Sequence, residues 1–227
     1  MEKKLAIFDM DGTILNTLED LTDSTNYALR SCQMPEHTID EVRQYVGNGI
    51  RKLIERAVPE GTSEAECDHV FDVFMKHYEV HCYDKTRPYP GIVEFMRELK
   101  KKGCLLAVVS NKADEAVQIL CERFFDGIFD CIMGERAGVP KKPAPDSVLN
   151  TMKELGISKE ESIYIGDSDV DFATACNSGL EHVIVTWGFR DRPFLEEKGA
   201  VNFADTPEDI LPFIVGKHKR RPRYSGT

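Results

Sequence analysis

Leu5-Ala6-Ile7-Phe8-Asp9-Met10-Asp11-Gly12-Thr13 runs four apolar residues into two carboxylates with a single residue between them. In extended chain alternate side chains point the same way, so Asp9 and Asp11 face one pocket where the strand runs out. In an open parallel sheet that is where ligands bind. Paired carboxylates repel each other. The pair is tolerable beside a divalent cation, or with one member protonated and serving as a general acid. A solvated acidic turn would account for the pair without chemistry. Gly12-Thr13 adds a tight turn, a hydroxyl and free backbone N–H groups near where an anion can bind.

Outward from this strand the pattern changes twice. Residues 17–82 read as helices: Leu18, Leu21, Tyr27 and Ala28, then Val42, Tyr45 and Val46, then Val70, Val73, Phe74 and His77 recur at helical steps. From Pro88-Tyr89-Pro90-Gly91 onward, helices (92–101, 114–123) alternate with β-rich runs at 105–109, 127–132, 162–165 and 182–185. That alternation predicts right-handed crossovers feeding a parallel sheet. The expected architecture is an α/β core of residues 1–15 and 84–215 interrupted by a helical insert, 16–83, with Pro88, Pro90 and Gly91 marking the return.

The 227 residues are 41% hydrophobic, enough for a packed interior, and carry a formal net charge of −10. That charge argues against a general nucleic-acid or membrane-surface binder. No apolar run approaches the ~18 residues of a membrane span, and Met1-Glu2-Lys3-Lys4 leads into a strand rather than a signal-peptide core, so a cytoplasmic protein is expected. Seven scattered cysteines without a C-x-x-C pair read as reduced thiols. Residues 216–227 form a basic tail, Lys217-His218-Lys219-Arg220-Arg221-Pro222-Arg223 at its centre, that reads as disordered.

Three further polar clusters fall at expected strand ends and converge on the crevice of Asp9. Ser110-Asn111 offers a hydroxyl and backbone N–H groups suited to a tetrahedral anion; alone it would be a turn or a helix cap. Pro143 biases Lys142 toward extended chain, where its ammonium can neutralise phosphate charge; alone, Lys141-Lys142 would be solvated surface. Gly166-Asp167-Ser168-Asp169-Val170-Asp171 brings three acids to a glycine turn, and such hard oxygen ligands suit Mg²⁺. An acidic helix start explains one of the three without a metal.

Together these four clusters resemble, in order, the motifs of the haloacid dehalogenase superfamily: Asp9-Met10-Asp11-Gly12-Thr13, Ser110-Asn111, Lys142-Pro143-Ala144-Pro145 and Gly166-Asp167-Ser168 with Asp171. Within it the chain is most similar to bacterial phosphoglycolate phosphatases, through Tyr45-Val46-Gly47-Asn48-Gly49, Pro88-Tyr89-Pro90-Gly91 and Thr186-Trp187-Gly188-Phe189-Arg190. The resemblance implies a Rossmann-like core with a helical cap inserted after the first strand. It makes Asp9 the nucleophile of an aspartyl-phosphate and Asp11 the acid and base. Ser110, Asn111 and Lys142 would bind phosphate, and Asp9, Asp11 (by its carbonyl) and Asp167 would hold Mg²⁺. Thr13 supports the site, Asp171 orients Lys142, and Asp169 caps a helix rather than binding the ion. Asp11, which haloacid dehalogenases lack, favours phosphoryl transfer over dehalogenation.

The expected substrate is a small phosphorylated metabolite, 2-phosphoglycolate foremost, acted on by a monomer or homodimer. A β-phosphoglucomutase-type transferase, a pyrophosphatase or nucleotidase, and a non-catalytic phosphate binder are the other readings. In the cap, Gly47, Asn48, Gly49, Arg51 and Lys52 are the specificity candidates, because two glycines let backbone N–H groups approach an anion. The competing view makes Gly47 and Gly49 an interhelical turn and Arg51 and Lys52 a solvated face. His77 and His81 have the spacing of some zinc pairs but no third ligand, and an ordinary helix explains them better.

Overall fold

The computed structural model describes residues 2–216, so the expected basic tail lies, past Gly216, outside the described residues. The first strand, β1 (Leu5–Phe8), is buried throughout. A short strand β2 (Leu15–Asn16) leads into the insert, four helices α1 (Leu18–Ser31), α2 (Ile39–Tyr45), α3 (Ile50–Ala57) and α4 (Glu64–His81), and β3 (Arg87–Pro88) leads out of it. There follow α5 (Ile92–Lys101), β4 (Leu105–Ala113), α6 (Asp114–Phe125), β5 (Cys131–Glu135), α7 (Asp146–Leu155), β6 (Ser162–Gly166), α8 (Asp169–Ser178) and β7 (Glu181–Val185). The last elements are α9 (Arg192–Glu197), β8 (Phe203–Ala204), a 3₁₀ turn at Pro207–Ile210 and α10 (Leu211–Ile214).

Six strands form one parallel sheet in the order β5-β4-β1-β6-β7-β8. The strand order reverses at β1, which opens the crevice at its C-terminal end. Alternate residues feed opposite faces. Ala6, Phe8, Leu106 and Val108 pack against α5 and α6 through Phe95, Leu99, Val117 and Leu120. Leu5, Ile7, Ala107 and Val109 pack against α7 and α8 through Val148, Met152 and Ala175. Helices on both faces are why these strands read as unbroken apolar runs.

The insert has its own core, with Leu21, Leu29, Val42, Leu53, Val70 and Phe74 drawn from all four helices. Capping boxes at Thr38/Glu41 and Ser63/Glu66 fix the starts of α2 and α4. The chain enters and leaves through an antiparallel pair, Leu15 opposite Pro88 and Asn16 opposite Arg87. Asp20, in the first turn of α1, closes this neck: its buried carboxylate accepts from the backbone N–H of Lys85 at 2.9 Å and of Thr86 at 2.8 Å.

Two expectations need correction. The strand placed at 127–132 begins only at Cys131. Ile128 N–H closes a turn onto Phe125, and the Asp130 carboxylate takes Lys100 Nζ at 2.6 Å and Leu106 N–H at 2.8 Å, so the segment before it is a pinned connection. The helix start at α8 is capped by Ser168, whose side chain accepts from Asp171 N–H, while Asp169 forms an ion pair with Arg190.

Asp20→Ala strands two N–H groups at the neck of the insert, so it is expected to lower stability by about 2 kcal/mol, a fall in Tm of about 4–8 °C. Thermal unfolding of the variant and of Asp20→Asn, which keeps an acceptor and loses less, checks this.

Candidate active site

Register brings the polar clusters together. Phe8 sits beside Val108 on one side and Ile165 on the other, and Asp9 N–H donates to the Ile165 carbonyl at 2.9 Å. Asp9 and Asp167 therefore emerge directly after β1 and β6, and Ser110 lies beside them within β4, which runs on past the expected end at 109 and shifts its register with β5 between Val109 and Ala113. Lys142, in the loop between β5 and α7, is steered in by Asn111. The Asn111 side chain accepts from Lys142 N–H at 2.8 Å and donates to its carbonyl at 3.0 Å. Asn111 thus holds the loop with its amide.

The Lys142 ammonium, 6% exposed, donates to Asp9 Oδ1 at 2.6 Å, Asp171 Oδ1 at 2.8 Å and the Tyr164 hydroxyl at 3.0 Å. Burial lowers its affinity for a proton, but Asp171 and Asp9 outweigh that and hold it well above the ordinary lysine range. Asp171 is equally committed. Its Oδ2 accepts from Ser168 N–H at 3.1 Å and Ser168 Oγ at 2.6 Å, and its Oδ1 from Tyr164 at 3.0 Å in addition to Lys142. Burial would raise its pKa, yet Lys142 and these hydroxyls hold it below the usual carboxylate value.

Asp9 and Asp167 lie at the other extreme. Burial, then Asp171, pushes Asp9 well above the ordinary range in spite of Lys142. Burial pushes Asp167 up to about 7, Asp171 adding to it. Ligand atoms of Asp9, Asp167 and Asp171 lie within 4.8 Å of one another, and one lysine cannot neutralise three buried acids. With the oxygens of Asp171 occupied, Asp9 and Asp167 remain to face a cation. Asp167 is held in place by Thr13 Oγ1, at 3.2 Å from its Oδ1, and by Phe189 N–H, at 2.7 Å from its Oδ2. Backbone without a side chain encloses it as well: a Cβ on Gly188 would stand 2.2 Å from the Asp167 Cβ, and one on Gly12 2.3 Å from Oδ2. An acid pair with surplus negative charge and a close-fitting cradle suits a divalent metal ion.

Asp11 pairs with a residue the sequence reading passed over. Lys112, 4% exposed near the end of β4, donates to Asp11 Oδ1 at 3.0 Å and to the Tyr78 hydroxyl of α4 at 2.6 Å. Burial works against its charge, and Asp11 and Tyr78 more than restore it. Its one sequence signal was adjacency to Ser110-Asn111. A cavity of about 50 Å³ opens over these groups, walled on the insert side by Leu21, Val46, Gly47, Gly49, Ile50 and Leu53.

Among the specificity candidates, Gly47 and Gly49 border this cavity, whereas Asn48, Arg51 and Lys52 do not. Asn48 Oδ1 accepts from Arg56 at 2.8 Å, Arg51 pairs with Glu55 and Asp68, and Lys52 pairs with Glu55. Helical geometry is the reason: Ile50 and Leu53 share the cavity face of α3, which turns positions 51 and 52 away. His77 and His81 stack at 4.3 Å, with His77 bonded to Ser24 and His81 to Asp84. Sequence reasoning also gave no role to the loop after β7. Arg190 donates to the Arg43 and Val46 carbonyls at the end of α2, Arg43 donates back to the Phe189 carbonyl at 2.7 Å, and the Phe189 ring joins the core of the insert. Among the described residues no helix is long and apolar enough to cross a membrane.

Comparison with known proteins agrees with this arrangement. A sequence profile described as Haloacid dehalogenase-like hydrolase matches residues 6–185. A phosphoglycolate phosphatase of Aquifex aeolicus is 34% identical over 187 residues, spanning 82% of this chain and 86% of the relative. One from Agrobacterium fabrum is 34% identical over 220 residues, 94% of each. A crystal structure from Lactobacillus delbrueckii subsp. bulgaricus, carrying a provisional phosphoglycolate phosphatase name, superposes with a TM-score of 0.91 at 40% identity, covering 95% of this chain and 100% of that one. Strand-end acids, a lysine steered between them and matches along most of the chain place it in one family: it belongs to the haloacid dehalogenase-like hydrolases.

Proposed function

We propose that this hydrolase is a Mg²⁺-dependent phosphatase of small anionic phosphomonoesters, 2-phosphoglycolate foremost, working through an aspartyl-phosphate on Asp9. The observation that carries the reading is the Asp9 carboxylate held 2.6 Å from a buried ammonium, inside a cavity of about 50 Å³. The names of the relatives point to the same substrate.

In the first half-reaction an Asp9 oxygen bonds to phosphorus while the ester P–O bond breaks, and the Asp11 carboxyl gives its proton to the departing oxygen. In the second, water bonds to phosphorus, the Asp9–phosphorus bond breaks, and Asp11 takes the water proton, releasing phosphate and restoring both acids. Lys142, the Ser110 hydroxyl and backbone N–H groups at Asn111 bind the phosphoryl oxygens, where charge builds in the transition state. Asp171 keeps Lys142 charged and aimed. Mg²⁺, held by the Asp9 and Asp167 carboxylates and the Asp11 carbonyl, would supply the positive charge that lets a carboxylate approach a phosphate dianion. The helical insert serves as cap, with Gly47 and Gly49 its residues at the substrate.

Phosphate release with Mg²⁺ from 2-phosphoglycolate, pyrophosphate, AMP and glucose 6-phosphate tests the reading. A preference of about 100-fold in kcat/KM for 2-phosphoglycolate, or about 2.7 kcal/mol, is expected. Asp9→Asn should abolish turnover with the fold intact; a variant that still turns over rules out the covalent route. Lys142→Ala removes a charge aimed at the phosphoryl group and should lower kcat/KM by about 10²–10³-fold. Gly188→Ala drives a methyl into Asp167 and should weaken the ion by about 10- to 100-fold, read by calorimetric titration with Mg²⁺; unchanged affinity would remove Asp167 from the metal site.

A further inference from the structure

Lys112 is a buried cation to which neither the phosphoryl cradle nor the metal site assigns a task. Its ammonium donates to Asp11 Oδ1 at 3.0 Å, Asp11 Oδ2 at 3.3 Å and the Tyr78 hydroxyl at 2.6 Å. An ammonium has three N–H bonds, and three acceptors meet it here. Two of them belong to the acid at the end of β1. The third comes from the insert: Tyr78 lies in α4, stacked on Phe74 at 5.1 Å within the helical core. The ammonium is also 4.8 Å from the centre of the Tyr78 ring, close enough for a cation–π contact.

A hydrogen bond to a buried charge is strong and costly to lose. The phenol of α4 therefore fixes the ammonium, and the ammonium fixes the carboxylate. Any displacement of α4 from the sheet deprives Lys112 of an acceptor, so the seating of the helix and the setting of the acid are thermodynamically linked, in both directions.

We propose that Lys112 and Tyr78 are positioning residues for Asp11, and that Tyr78 makes the orientation of this proton-transferring acid depend on how the helical insert sits against the sheet. The inference rests on the phosphatase reading for its kinetic consequence. A proton from Asp11 matters when an alkoxide leaves, as from 2-phosphoglycolate; acetate leaving from acetyl phosphate, a molecule of similar size, needs none.

Tyr78→Phe removes the hydroxyl and keeps the ring. Hydrolysis of the aspartyl-phosphate is common to both substrates, so kcat/KM, which reports only the leaving-group half, is the readout: with 2-phosphoglycolate it is expected to fall about tenfold, and the loss of kcat/KM with acetyl phosphate should be at least about five times smaller. Equal losses on the two substrates, or no loss on either, would overturn the proposal. A second measurement needs no substrate. Unfolding constants of the wild type, Tyr78→Phe, Asp11→Asn and the double variant form a cycle across two residues joined through Lys112. Coupling predicts that the double variant departs from the product of the single effects by about fivefold or more. Effects that multiply within about twofold would overturn the proposal. Absence of turnover on either ester would instead count against the phosphatase reading and leave the cycle to decide the coupling.

Discussion

Three buried carboxylates around one ammonium set the terms for the rest of this molecule. Asp9, Asp167 and Asp171 share a space of a few ångströms with Lys142, and such a cluster is unfavourable unless every charge is placed. Asp171 is relieved by five groups and becomes a fixed anion. That leaves Asp9 and Asp167 as the members of the cluster whose charge a cation would offset. Even the fold's choice of residues follows the charge: Tyr164, in the centre of β6, sends its hydroxyl to both Lys142 and Asp171.

The sheet solves the assembly problem at little expense in loop ordering. With β1 between β4 and β6, Asp9 and Asp167 follow directly on strands already in register, and Ser110 sits beside them within β4. Only Lys142 arrives on a loop, and it is the residue with a dedicated guide, the two-way amide pairing to Asn111. Long-range precision here is mostly inherited from backbone pairing, with side-chain hydrogen bonds needed where that pairing ends.

The sequence makes the sheet and its acids legible because burial on both faces writes continuous apolar runs, and because Asp9 and Asp167 follow such runs directly. Misplacement of β5 has a local cause: Phe129 and Ile132 flank Asp130, and nothing in the stretch itself reveals that this carboxylate is engaged by Leu106 and Lys100. Arg51 and Lys52 were candidates by proximity to Gly49, but proximity along a helix does not give direction, and Ile50 and Leu53 take the inner face. Lys112 escaped for the opposite reason. Its partner Tyr78 lies 34 residues earlier, in an element with a different periodicity, and only tertiary packing joins them. The same holds for Arg190, whose acceptors lie at the end of α2.

Phe189 belongs to two structures at once. Its amide supports Asp167 at the end of the sheet, while its ring is part of the hydrophobic interior of the inserted helices. The insert, although continuous from one side of the β2–β3 neck to the other, is therefore not a self-contained module. A chimera that took residues 17–86 from a relative would have to bring the matching 187–191 loop with it, or leave a foreign ring in the transplanted core and a displaced amide at the acid. The same residue couples the helices that wall the cavity to the loop that supports Asp167, so a shift in one of them presses directly on the other.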